Sequence, residues 1–126
     1  MPLMDLVTFD GDGLIAAIVF DAATSEPLVL CYMDREALAK TVETGFVHVY
    51  RRSKGRVMLK GETSGHTQRV VEIRVNCDEN SLAIAVEQHV AACHMGYFSC
   101  YYRRYNPETD QLEAVAERIF DPDQVY

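Results

Sequence analysis

Residues Thr67 to Val86 read TQRVVEIRVNCDENSLAIAV, and this stretch decides the fold. From Thr67 to Val75 apolar and polar residues alternate: Val71, Ile73 and Val75 fall on one face, Glu72 and Arg74 on the other. Alternation of period two is the mark of a half-buried strand. Cys77 to Asn80 (CDEN) is turn sequence, and Leu82 to Val86 is a second, fully apolar strand. The pair predicts a hairpin with Cys77 at its tip.

Working upstream, Phe46 to Arg51 alternates Phe46, His48 and Tyr50 against Val47 and Val49, and Arg56 to Lys60 reads as another strand. Asp34 is an N-cap residue, Glu36 to Val42 is helical with Ala37, Leu38 and Val42 on one face, and Gly45 ends the helix. Before it, Leu14 to Phe20 (LIAAIVF) and Pro27 to Met33 (PLVLCYM) are apolar strands joined by a turn over Asp21 to Glu26. Downstream, Phe98 to Arg104 reads as a tyrosine-rich strand. Gln111 to Phe120 fits helix or strand, with helix the preferred assignment. One early helix among seven or so strands predicts an α+β domain built on antiparallel sheet.

The chain of 126 residues is the size of one domain. No apolar run is long enough to span a membrane. The first twelve residues carry Asp5, Asp10 and Asp12 and no basic residue, unlike a signal peptide, so the expected compartment is the cytoplasm. A net charge of −7 argues against nonspecific nucleic-acid binding, which needs cations to neutralise phosphates. The basic residues are nonetheless clustered: Arg51, Arg52, Lys54, Arg56 and Lys60 fall together, as a solvated turn or as a pocket for a phosphorylated small molecule.

Two motifs carry chemistry. Cys77, Cys93 and Cys100 do not have zinc-finger spacing, and three buried packing thiols would look the same. However, Cys93-His94 lies in loop-like sequence between Val90–Ala92 and Gly96, where a cysteine has no packing duty. Three thiolates would leave a fourth tetrahedral position open, the arrangement of a catalytic zinc. Cys31, inside an apolar strand, reads as core. The second motif, Lys60-Gly61-Glu62-Thr63-Ser64-Gly65, offers backbone N–H groups, hydroxyls and an ammonium to a phosphate, although such clusters are also ordinary turns.

Taken in order, the Phe46–Arg51 strand, Arg52 to Arg56 (RSKGR), Lys60 to Gly65 (KGETSG), Cys77-Asp78, Val86-Glu87-Gln88, Ala92-Cys93-His94 and Ser99-Cys100-Tyr101 resemble the phosphoribosyl-AMP cyclohydrolase family. Tyr32-Met33 and Arg35 to Leu38 extend the likeness, which covers about residues 12–104 and leaves 105–126 as a C-terminal extension of a single domain. The resemblance implies the third step of histidine biosynthesis, on a modified ubiquitin-like β-grasp roll that forms a homodimer. It implies a zinc site shared between subunits, with ligands matching Cys77 from one chain and Cys93 plus Cys100 from the other. It also implies that zinc-activated hydroxide attacks C6 of the alkylated adenine and that the N1–C6 bond opens. His94 is then the expected proton-transfer residue, ahead of His66 and His89, while His48 is structural. Arg52, Lys60, Glu62, Thr63, Ser64 and Gly65 are the expected substrate contacts. The length predicts that no pyrophosphohydrolase segment is fused to the chain.

The departures from the family pattern are specific. Where three alternate aspartates usually bind magnesium, this chain has Asn76, Asp78 and Asn80, which predicts at most weak magnesium binding. Met58 replaces a tryptophan, His66 an asparagine, Val90-Ala91 a Gly-Pro pair, and Tyr97 and Phe98 stand where arginine is usual. Two rivals follow: a diverged paralogue that hydrolyses or deaminates another purine nucleotide, and a non-catalytic zinc-binding homologue.

Overall fold

The computed structural model describes residues 2–126. In chain order the elements are helix α1 (Pro2–Asp5), strands β1 (Ile15–Asp21) and β2 (Pro27–Met33), helix α2 (Arg35–Thr44), and strands β3 (His48–Arg51), β4 (Arg56–Leu59), β5 (Gln68–Val75), β6 (Ser81–Gln88), β7 (Arg103–Asn106) and β8 (Gln111–Ala114). A 3₁₀ turn over Pro122–Gln124 follows. The α+β class holds. The main sheet runs in the order β2-β1-β6-β5, with β3-β4 and β7-β8 as separate two-stranded ribbons. No helix among the described residues is long and apolar enough to cross a membrane.

The main sheet is mixed, not purely antiparallel as expected. β1 pairs antiparallel with β2 but parallel with β6, Ala16 lying opposite Ser81 and Asp21 opposite Val86. Ile15, Ala17 and Val19 on β1 join Leu82, Ile84 and Val86 on β6 as one buried apolar face. Burying such an aliphatic side chain fully is worth about 1.5–3 kcal/mol. Helix α2 closes over that core with Ala37 and Leu38, and Val47 and Val49 fill in beside it. Its ends are as expected: the Asp34 carboxylate accepts from the Ala37 N–H at 2.8 Å, and Gly45 ends the helix.

Four readings are corrected. The strict alternation of β5 breaks at a bulge between Val70 and Glu72. The extra residue, Val71, is 52 % exposed, while Val70 and Ile73 pack on the core. On α2 the third buried residue is Thr41, one position before the expected Val42, which is exposed. Phe98 to Tyr102 is not strand, because its backbone serves other partners: the Phe98 carbonyl accepts from Ala92 and the Cys100 N–H donates to Leu28. Gln111 to Phe120 holds strand β8 and no helix. Asp110, at φ 57°, turns the chain back so that β8 pairs with β7, and Leu112 and Val115 stay exposed with no core to support a helical face.

Thr41 does more than fill space. Its fully buried hydroxyl donates to the Ala37 carbonyl at 2.8 Å and accepts from the His48 N–H at 2.9 Å, pinning β3 to the helix. Thr41→Val keeps the shape and leaves the His48 N–H buried without a partner, so stability should fall by about 1–3 kcal/mol. Urea denaturation measures this; an unchanged midpoint would show that the hydroxyl contributes only volume.

Candidate active site

The Lys60 to Gly65 turn grows out of β4. The Lys60 N–H donates to the Val47 carbonyl at 2.9 Å, and the Lys60 ammonium reaches the Ala92 carbonyl at 3.2 Å, joining the turn to the Cys93 loop. Gly61 sits at φ +89°, and a Cβ there would lie 2.5 Å from the His66 carbonyl oxygen. Only glycine lets the turn close this tightly. Gly65 N–H then donates to the Gly61 carbonyl, and the Ser64 hydroxyl accepts from the His66 N–H.

The Cys93 loop is folded on itself. Cys93 N–H donates to Tyr97, Gly96 N–H donates to Cys93, and the Met95 N–H points at the Cys93 sulfur at 3.4 Å. Cys93 is buried and is a close electrostatic neighbour of Cys100. Burial, and then the neighbouring Cys93, pushes the Cys100 thiol up to about 11, while the Lys60 ammonium draws it down. Two adjacent sulfurs, one already accepting an N–H, are a soft donor set that fits zinc.

Cys77 is not with them. It is exposed in the β5–β6 turn. That turn lies where β1 begins, because Ala16 pairs with Ser81 and the Thr8 N–H donates to the Glu79 carbonyl at 2.7 Å. Cys100 lies where β1 ends, since its N–H bonds Leu28 at 2.8 Å and Phe20 pairs with Pro27. The intervening strand length is roughly 15 Å at about 3.3 Å per residue. Accordingly, no group of three metal-ligating side chains occurs in one chain among the described residues.

The same turn is a poor fit to magnesium. The Asn76 side-chain oxygen already accepts from the Asn80 and Ser81 N–H groups, each at 2.9 Å, and its amide donates to the Asn80 oxygen at 2.6 Å. Asp78 is the one carboxylate at the three alternate positions, short of what a hard cation favours.

Two cavities meet at Lys60 and His94. The first, of about 330 Å³, is lined by Arg51, Lys54, Lys60, Glu62, Thr63 and Ser64. The second, of about 490 Å³, is lined by Tyr32, Tyr50, Arg52, Lys60 and Cys100, with the Arg52 guanidinium 4.9 Å above the Tyr32 ring. His94 is exposed and borders both. Glu62 is tied to Arg56 at 3.0 Å. Gly65 instead borders a shallow hollow with Phe46, Gln88 and His89. His66 is turned away towards Phe120 and His89; burial, and then His89, holds its pKa below the ordinary histidine range.

Residues 29–102 match the model of the family described as phosphoribosyl-AMP cyclohydrolase. The chain is 50% identical over 126 residues to the phosphoribosyl-AMP cyclohydrolase of Methanosarcina barkeri, covering 99% of this chain and 94% of that one. It belongs to the phosphoribosyl-AMP cyclohydrolase family. Relatives with the same name in Methanosarcina mazei and Bradyrhizobium diazoefficiens are 51% and 46% identical, over 91% and 94% of this chain and 92% and 86% of theirs. The segment matching the phosphoribosyl-AMP cyclohydrolase model holds all four cysteines and the Lys60 turn, and ends before β7.

Arg51, Lys54 and Tyr126 also line the first cavity and were not among the expected contacts. The first two carried a signal, the basic cluster; Tyr126 carried none. The two turn glycines separate close packing from backbone strain. Gly65, at φ +80°, has nothing within 4 Å of an added Cβ. Gly65→Ala should therefore cost only the left-handed strain of about 1–2 kcal/mol. Gly61→Ala adds a backbone collision, so it should destabilise more and lower activity. Thermal melts of the two variants compare them; equal losses would mean that the collision is relieved at no cost.

Proposed function

We propose that the protein is a zinc-dependent hydrolase that opens the N1–C6 bond of the adenine ring of phosphoribosyl-AMP in histidine biosynthesis. The carrying observation is the neighbouring pair Cys93 and Cys100, with Cys100 lining a cavity beside Lys60 and His94 where two cavities join. Near half identity to relatives bearing that enzyme name supports the substrate. The substrate has two phosphoribosyl arms, and the two cavities offer each a cationic wall: Arg51, Lys54 and Lys60 in one, Arg52 in the other.

Zinc, when bound by the cysteines, supplies the Lewis acidity that makes a water acidic enough to attack C6 near neutral pH. The chain's own residues do the rest. Lys60, held to the Ala92 carbonyl, fixes a phosphate relative to the thiols. Thr63 and Ser64 offer hydroxyls to the phosphate or ribose. His94 takes up the proton released by the attacking water and returns it to N1 as the N1–C6 bond breaks, leaving the carboxamide.

The active form proposed here is a homodimer in which the partner subunit's Cys77 completes each site. The separation of Cys77 from the other two thiols along the sheet supports this. So does the outer sheet face, where Leu30 and Tyr32 are exposed on the edge strand β2. Magnesium binds it weakly at most, and activity depends little on it.

Assays with phosphoribosyl-AMP and a panel of adenine and guanine nucleotides test the substrate; turnover of another purine and not of this one would overturn it. Sharing of the site is tested by mixing. Cys77→Ala and Cys93→Ala homodimers each lack a ligand in both sites and should be inactive. In a mixed dimer one site collects both lesions and the other none, as two-fold symmetry requires. Random exchange makes half the dimers mixed, so roughly a quarter of full activity should return, more if zinc stabilises the intact site. Activity at the single-mutant level, with mixed dimers confirmed by mass spectrometry, would place the site within one chain.

A further inference from the structure

The segment after β8 lies beyond the residues matched by the family model, yet it is built onto the Cys93 loop. The Ile119 N–H donates to the Gly96 carbonyl at 2.7 Å, and the Phe120 N–H approaches the same oxygen at 3.4 Å. Gly96 sits at φ +99°, where a Cβ would collide with the Phe120 carbonyl oxygen, so the two backbones touch with no room between them. The Phe120 ring meets His66 edge-on, 4.8 Å between centroids, and the Arg118 guanidinium lies 5.8 Å from the Tyr97 ring. From this anchor Asp121 caps the 3₁₀ turn, and the Tyr126 N–H donates back to the Pro122 carbonyl at 3.0 Å. The chain is thus delivered to the rim of the first cavity, opposite Lys60, Thr63 and Ser64.

Tyr126 is the one carbocyclic aromatic ring lining that cavity, and it is 55 % exposed. Apart from the His94 imidazole, to which the proton transfer is assigned, the other walls are charged, hydroxylic or aliphatic, and suit phosphate and ribose better than a base. Resting on the reading that the first cavity takes one phosphoribosyl arm of the substrate, with the base at its mouth, we propose that Tyr126 is a substrate-contacting, specificity-determining residue. Its ring stacks on the purine base, and the strap over residues 115–126 holds it in place against the Cys93 loop.

Stacking of a base on an aromatic side chain is commonly worth a factor of roughly 5 to 100 in affinity. In the full-length enzyme, Tyr126→Ala should therefore raise KM for phosphoribosyl-AMP roughly 5- to 50-fold and change kcat much less, the pattern of lost ground-state binding. Calorimetric titration with AMP should show a parallel loss. Tyr126→Phe, which keeps the ring, should recover most of it. Because the side chain is half exposed, melting temperatures should not distinguish these variants. Lys60→Met, measured alongside, separates the two levels of the reading. If Lys60→Met raises KM and Tyr126→Ala leaves it within twofold, the stacking role is wrong and the pocket stands. If neither variant moves KM or AMP binding, the first cavity does not take a phosphoribosyl arm.

Discussion

The parallel pairing of β1 with β6 is the constraint on which the rest of the structure depends. Two local hairpins, β1-β2 and β5-β6, are joined side by side through their inner strands. A parallel junction cannot be made by a tight turn and demands a long crossover. Here that crossover contains α2 and the β3-β4 ribbon, so the pairing itself brings Ala37, Leu38 and Val47 over the buried face of the sheet. It also sends the β5-β6 tip to one end of β1 while Leu28, and with it Cys100, lies at the other. The distance between Cys77 and the other two thiols is therefore a property of the topology and not of loop conformation.

The same crossover explains how an acidic chain presents a basic pocket. With a net charge of −7 the whole molecule repels polyanions, yet the β3-β4 ribbon gathers Arg51, Arg52, Lys54 and Lys60 along two adjoining cavities. Such a local field suits one small phosphorylated molecule and not a nucleic-acid backbone. Lys60 is the hinge of this arrangement. Bound to the Ala92 carbonyl, it is preorganised beside the Cys93–Cys100 pair, so a cationic group and two thiols come as one unit. Cys31 lines the second cavity as well, and burial pushes its thiol up to about 12 while Lys60 draws it down.

Much of this was legible in the sequence, for local reasons. Asp34 and Gly45 mark the helix because capping is decided by neighbouring residues, and Cys77-Asp-Glu-Asn80 marks a hairpin tip because turn chemistry is equally local. The KGETSG turn was visible as a motif, and its closeness to Cys93 was not, since the Lys60–Ala92 contact spans 32 positions. The bulge at Val71 was hidden because it changes register without changing composition. The Tyr97–Tyr102 region misled for a different reason. Its aromatic residues have high strand propensity, but Tyr97 and Tyr102 stack on each other at 3.6 Å across a loop whose backbone bonds go to Ala92, Cys93 and Leu28. The parallel β1-β6 pairing had no signal at all: continuous apolar strands fit either direction.

Asn76 and Asn80 complete this logic. Carboxylates at both positions would face each other across the turn, and like charges at that spacing need a cation between them. Amides need none, because one donates to the other directly, and the Asn76 oxygen still has capacity for the Asn80 and Ser81 N–H groups. The turn, with Glu79 in the left-handed conformation at φ 59°, is thus closed by its own backbone and two neutral side chains, with the Thr8 N–H bonded to the Glu79 carbonyl from outside. A tip that keeps its shape without a divalent ion presents Cys77 at a fixed point on the surface.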